Sequence, residues 1–159
     1  MRILGIDPGL NITGYGLIES NNGRFTLIEA GIIKTSQKLK IEARLQRIFR
    51  ALVRLIRDTH PEAVILEKLY SHYRHPLTAC LLGHARGVIC LCASTENVDL
   101  FEYPATRVKK VVSGRGNASK QQIQHMVQHT FGVNIPGPAD VSDALALAIA
   151  HTYIVKRKI

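Results

Sequence analysis

A chain of 159 residues with 46% hydrophobic and 21% charged side chains has an ordinary globular composition, long enough for one domain, residues 1–159, with its own core. Its 21 lysines and arginines against 12 acids give a net charge of +9, which points to a polyanionic partner, nucleic acid before an acidic membrane surface. No apolar stretch reads as a membrane span, and Met1-Arg2 runs straight into a strand pattern rather than a signal peptide, so a cytoplasmic location without membrane contact is expected.

In chain order, residues 2–7, 13–20 and 24–34 read as short strands, punctuated by Gly14, Gly16, the Asn21-Asn22-Gly23 turn and Gly31; together they predict an antiparallel meander. Residues 38–58 form the clearest helix. Ile41, Leu45, Ile48, Leu52, Leu55 and Ile56 recur at helical spacing, and Lys40, Arg44, Arg47 and Arg54 line the opposite face as a solvated stripe. After Pro61, EAVILEKLY (62–70) reads as a strand whose unbroken apolar run predicts cover on both faces. A second long helix spans 76–95. Its Gly83 and Gly87, four apart, would admit another helix closely, either within the monomer or from a second subunit. Cys80, Cys90 and Cys92 form no CxxC pair and read as buried reduced thiols. VDLFEY (98–103) predicts a fifth strand, and 104–112, 119–131 and 139–156 predict three more helices. The order implies an α/β fold, a mixed sheet flanked by helices.

With so few acids, their positions are informative. Asp7 closes the first strand, just before Pro8-Gly9. Glu67 lies near the end of the buried strand, and Asp140 and Asp143 stand three apart on one helical face. Each has a purely structural explanation. Asp7 could form a turn, Glu67 could pair with a buried arginine, and Asp140 and Asp143 could cap a helix and occupy its first turn. One explanation covers all of them: a carboxylate cluster is stable only when metal charge offsets its repulsion, and hard divalent cations take oxygen ligands. Two such ions would suit phosphodiester hydrolysis, which fits a basic protein with a polyanionic substrate.

Two segments carry the binding chemistry. LYSHYRHP (69–76) interleaves Tyr70 and Tyr73 with Arg74 and histidines, so that rings can stack on exposed bases while cations hold phosphates. TRVKKVVSGRGNASK (106–120) carries Arg107, Lys109, Lys110, Arg115 and Lys120 without an acid, and its Gly-rich turn leading into a helix suits phosphate contacts. It lacks the nucleotide P-loop pattern. His125 and His129 lie four apart, but Ile123, Met126, Val127 and Thr130 define the buried side and the HExxH glutamate is missing, so zinc is not expected.

The motifs GIDPGLNITGYGLI, LEKLY, GHARGV, FEYPATRVKK and SKQQIQHMVQ, then PADVSDALALAIAH, resemble the RuvC family of bacterial Holliday-junction resolvases, from residue 3 to about 152. The resemblance implies an RNase H-like fold with a five-stranded mixed sheet, and a homodimer. It implies four metal-binding, catalytic carboxylates at Asp7, Glu67, Asp140 and Asp143, two Mg²⁺ ions per active site (Mn²⁺ substituting), and basic residues near the scissile strand at Lys109 and Lys120. Some relatives carry histidine at the third acidic position. The family's stacking aromatic falls on Tyr70, where many relatives have phenylalanine; tyrosine keeps the ring face and adds a hydroxyl. Further implications are a four-way DNA junction as substrate, paired nicks in strands of like polarity that a ligase can seal, and cooperation with RuvA and RuvB. Two alternatives stay open on the residues alone: another RNase H-like nuclease acting on RNA or flaps, and a non-catalytic junction-binding module.

Overall fold

The strands form where apolar residues alternate or run unbroken between turn residues, and they assemble as one five-stranded sheet. The computed structural model describes residues 1–68, 76–135 and 137–156. Its elements, in order, are β1 (Arg2–Asp7), β2 (Ile12–Asn21), β3 (Arg24–Lys34), α1 (Ile41–Thr59), β4 (Ala63–Glu67), α2 (Pro76–Thr95), β5 (Asp99–Tyr103), α3 (Ala105–Ser113), α4 (Lys120–Phe131) and α5 (Ala139–Lys156). The sheet order is β3-β2-β1-β4-β5. β1, β2 and β3 form the expected antiparallel meander, and β4 and β5 continue the sheet parallel to β1. The expected strand over 62–70 is shorter, ending at Glu67; Leu69 and Tyr70 lie outside the described residues.

The apolar run of β4 is covered on both faces, as its sequence predicts. Val64 and Leu66, with Leu4 and Ile6 of β1, join the core under α1 and α2. Ala63 and Ile65, with Ile3, join the core under α3, α4 and α5. α5 is buried almost all round, from Val141 through Ile154, because it lies directly on β1 and β2. Glycine makes that approach possible. A Cβ at Gly5 would run into the backbone of Ala144, and one at Gly14 into the carbonyl and Cβ of Asp140. A methyl at either position would force the helix off the sheet, and overpacking of this kind costs about 1–3 kcal/mol.

Three sequence expectations need correction, and one open alternative narrows. α2 is long and apolar enough to cross a membrane by length and composition, with a mean hydropathy of 1.5. It packs against α1 through Ala85, Ile89, Cys92 and Ala93, and it carries a buried, paired Arg86. Of the two readings of Gly83 and Gly87, packing within the chain finds no partner among the described residues, since a Cβ at either meets nothing within 4 Å. Of the thiols only Cys92 is buried, while Cys80 is exposed; α2 turns its 80-side outward. In α4 the buried side is Ile123 and Val127, with Met126 39% exposed and Thr130 only half-buried, so the inward face is narrower than the apolar pattern suggests.

Candidate active site

β1 and β4 run parallel, so their carboxyl ends share one edge of the sheet, the usual place for a ligand site in such folds. Asp7 is the last residue of β1 and Glu67 the last of β4. Asp7 pairs across the meander with Gly14, and the first turn of α5 rests on Gly14, which brings Asp140 beside Asp7. One turn on, the Asp143 carboxylate accepts a hydrogen bond from Lys120 Nζ at 3.3 Å. Lys120 is the first residue of α4, fixed there by a capping box. The Gln122 N–H donates to Ser119 Oγ, and the Ser119 N–H donates to Gln122 Oε1.

These elements enclose a cleft of roughly 270 Å³ whose charged lining includes Asp7, Glu67, Asp143, Lys109, Lys120 and Arg86. Burial, followed by the charges of Asp143, Asp140 and Glu67, pushes the Asp7 carboxyl up to about 7, against a weaker downward pull from Lys120. Withdrawal from water, then Asp143, raises Glu67 above its ordinary value, while Lys109, Lys120 and Arg86 oppose the shift. Lys120 is raised chiefly by Asp143. Four acids from three elements therefore feel one another. Among the described residues, however, no three His, Cys, Asp or Glu side chains are close enough to form a ready-made metal cage. Lys109, Lys120 and Arg86, which line the same cleft, offset part of the carboxylates' charge. The four acids offer an all-oxygen, negatively charged donor set, which fits a hard divalent cation.

The structural explanations for the acids are met only in part. Asp140 sits in the first turn of α5, where an acid favours the helix dipole, rather than at its cap. The arginine beside Glu67 pairs with Glu102, and takes only the backbone carbonyl of Glu67. Of the basic candidates, Lys109 and Lys120 line the cleft. Lys110 and Arg115 are exposed outside its lining, Arg115 beside a shallow hollow with Ser113, Gln122 and His125. Tyr70, Tyr73 and Arg74 lie outside the described residues. His125 and His129 are exposed on α4. Sequence reasoning missed Arg86, though a signal was present: it is the one Lys, Arg, Asp or Glu in the helix 76–95, and a lone charge in an apolar helix needs a partner.

A family model described as "Crossover junction endodeoxyribonuclease RuvC" matches residues 3–151. The chain belongs to the RuvC family. Crossover junction endodeoxyribonucleases RuvC from Rhodopirellula baltica and Alkaliphilus oremlandii are each 44% identical to it, over 99% of this chain and 89% of the first, and over 96% and 93% for the second. Thermus thermophilus RuvC, solved in complex with Holliday junction substrate, superposes with a TM-score of 0.94 at 29% identity, covering 99% of this chain and 96% of that one. The yeast mitochondrial Holliday junction resolvase Ydc2 shares the fold at a TM-score of 0.70, with 11% identity over 99% of this chain and 86% of its own. The expected RNase H-like architecture of RuvC is thus the architecture observed.

Proposed function

We infer that the protein is a Holliday-junction resolvase, an endonuclease that cuts four-way DNA junctions by phosphodiester hydrolysis. The observation that carries this reading is the convergence of Asp7 with Glu67, Asp140 and Asp143 at the carboxyl edge of the sheet, read out in the Asp7 carboxyl pushed up to about 7, in a chain of the RuvC family.

Asp7, Glu67, Asp140 and Asp143 would hold two Mg²⁺ ions, with Mn²⁺ able to replace them. Bound there, the metal supplies Lewis-acid charge and a lowered pKa for a water nucleophile. The chain's own residues do the rest. Lys120, tied to Asp143 and exposed on its outer side, is placed to meet a phosphate that enters the cleft. Lys109 adds a second cation to the cleft lining, and Lys110 and Arg115 extend the positive surface along which a DNA backbone would lie. Tyr70, Tyr73 and Arg74, directly after Glu67 in the chain, are proposed to stack on and hold the strands at the exchange point.

Two cuts of like geometry need two sites, and each chain supplies one carboxylate set, which supports a two-fold homodimer. The outward stripe of α2 offers a surface for it. Leu77 is 73% and Leu91 56% exposed, with the open Gly83 and Gly87 between them. Cooperation with RuvA and RuvB, in the cytoplasm, is proposed on family membership alone.

The test is a panel of end-labelled substrates: a four-way junction, a flap and an RNA–DNA hybrid. With Mg²⁺ the protein is expected to nick the junction symmetrically in strands of like polarity and to spare the others. Asp7→Asn should bind the junction and leave it uncut. Equal cleavage of flaps or hybrids, or junction binding without Mg²⁺-dependent cleavage by the unsubstituted protein, would contradict the reading.

A further inference from the structure

Arg86 is 8% exposed in an otherwise apolar helix. A guanidinium withdrawn from water is costly unless its donors are met. Both ends of its fork are occupied. Nη1 donates to the carbonyl oxygen of Glu67 at 2.5 Å, and Nη2 pairs with the carboxylate of Glu102. These two partners belong to adjacent strands. Glu102 stands opposite Leu66 in the β4–β5 register, and Glu67 lies beyond the last β1–β4 pair, Ile6 with Leu66. On the β5 side, the ladder holds this strand end through the Lys68 N–H, which donates to the Tyr103 carbonyl at 2.8 Å. On the β1 side no strand partner remains for Glu67, and Arg86 reaches its carbonyl from α2. The same guanidinium lines the cleft together with Asp7 and Glu67.

We propose that Arg86 is a positioning residue. It clamps the backbone of Glu67 to Glu102 so that the Glu67 carboxylate is held toward Asp7 for cation binding. The inference rests on the resolvase reading for its consequence in cleavage, but not for its consequence in metal affinity. Charge alone does not meet the requirement. A planar fork serves a carbonyl and a carboxylate at once, whereas a lysine ammonium on a flexible stem holds one partner in a fixed direction. Glu102 is not itself part of the cleft lining and acts through Arg86.

The experiment compares the unsubstituted protein with Arg86→Lys and Glu102→Gln. Three quantities are read: junction affinity in EDTA, Mn²⁺ affinity of the DNA-free protein from the free-ion EPR signal, and single-turnover junction cleavage across Mn²⁺ concentrations. Residues that orient metal ligands alter affinity or activity by roughly 10–100-fold when changed. Arg86→Lys is expected to weaken Mn²⁺ binding by about tenfold. It should slow cleavage by a similar factor at limiting Mn²⁺, while junction affinity stays within about twofold. Glu102→Gln, at a partly exposed site, should shift both in the same direction by less. Unchanged Mn²⁺ affinity in a folded Arg86→Lys protein would overturn the proposal, whatever happens to its melting temperature. If Arg86→Lys does not fold, unchanged Mn²⁺ affinity in Glu102→Gln overturns it. Failure of the unsubstituted protein to cut junctions at any Mn²⁺ concentration counts against the resolvase reading, and the Mn²⁺ affinities still decide the role of Arg86.

Discussion

At the scale of single residues the site is a set of unfavourable choices. Asp7 is held among three other acids, and Lys120 opens α4 with no acid in the first turn. A cation at a helix N-terminus opposes the helix dipole, an effect of about 0.3–1 kcal/mol; here Asp143 offsets it. Asp7 carries a larger cost, with a definite pH dependence. Its carboxyl takes up a proton far more readily in the folded chain, at about 7, than at its ordinary 3.8. Its contribution to stability is therefore greatest below about pH 4 and is lost as pH rises through 7. In EDTA at pH 8, Asp7→Asn should make the protein more stable by roughly 1–3 kcal/mol in urea unfolding, a discount from the full shift because neighbouring charges relax. The gain should shrink toward nothing as pH falls to 4. An Asn variant that is less stable at pH 8 would mean that Asp7 is not strained by its neighbours.

At the scale of elements, α2 has two working faces. Inward it brings Arg86 to the end of β4; outward it presents Leu77, Cys80, Gly83, Gly87 and Leu91 to solvent. Because nothing lies within 4 Å of a Cβ at Gly83, a larger side chain fits the monomer without distortion, and helix propensity improves by about 1 kcal/mol. Gly83→Leu should therefore keep or raise the melting temperature while weakening the proposed dimer at least tenfold in sedimentation equilibrium. An unchanged dimer would remove this stripe from the subunit contact. Element boundaries were legible where a strong pattern met a strong stop. The segment 139–156 coincides with α5, and the meander follows its glycines. The sequence reading carries the strand from 62 beyond Glu67 because Leu69 and Tyr70 prolong the apolar pattern, whereas among the described residues β4 ends at Glu67 and the ladder contact that follows it is the Lys68 N–H with Tyr103. Met126 misleads for a related reason: an apolar residue at the right period is counted as core even though it stays 39% exposed.

At the scale of the whole molecule, the excess of positive charge, the parallel strands ending at one edge and the acids at those ends agree on a polyanion cut at a carboxylate site. The acids could be read from the sequence because Asp7 and Glu67 close strands and Asp140 and Asp143 lie near the start of α5, where a charge is hard to explain by packing. Their convergence was implied by the family resemblance and not by spacing, since it depends on Gly5 and Gly14 letting α5 down onto the sheet. The Arg86 clamp was equally hidden. One of its acceptors is a backbone carbonyl, which has no residue signature, and the other is Glu102, 16 positions further along on a different strand. The most direct measurement of the central claim is anomalous scattering from a crystal soaked in Mn²⁺. Peaks between the carboxylates of Asp7, Glu67, Asp140 and Asp143, lost in Asp7→Asn, are the predicted result. Carboxylates that stay apart, with no peak among them at saturating Mn²⁺, would contradict it.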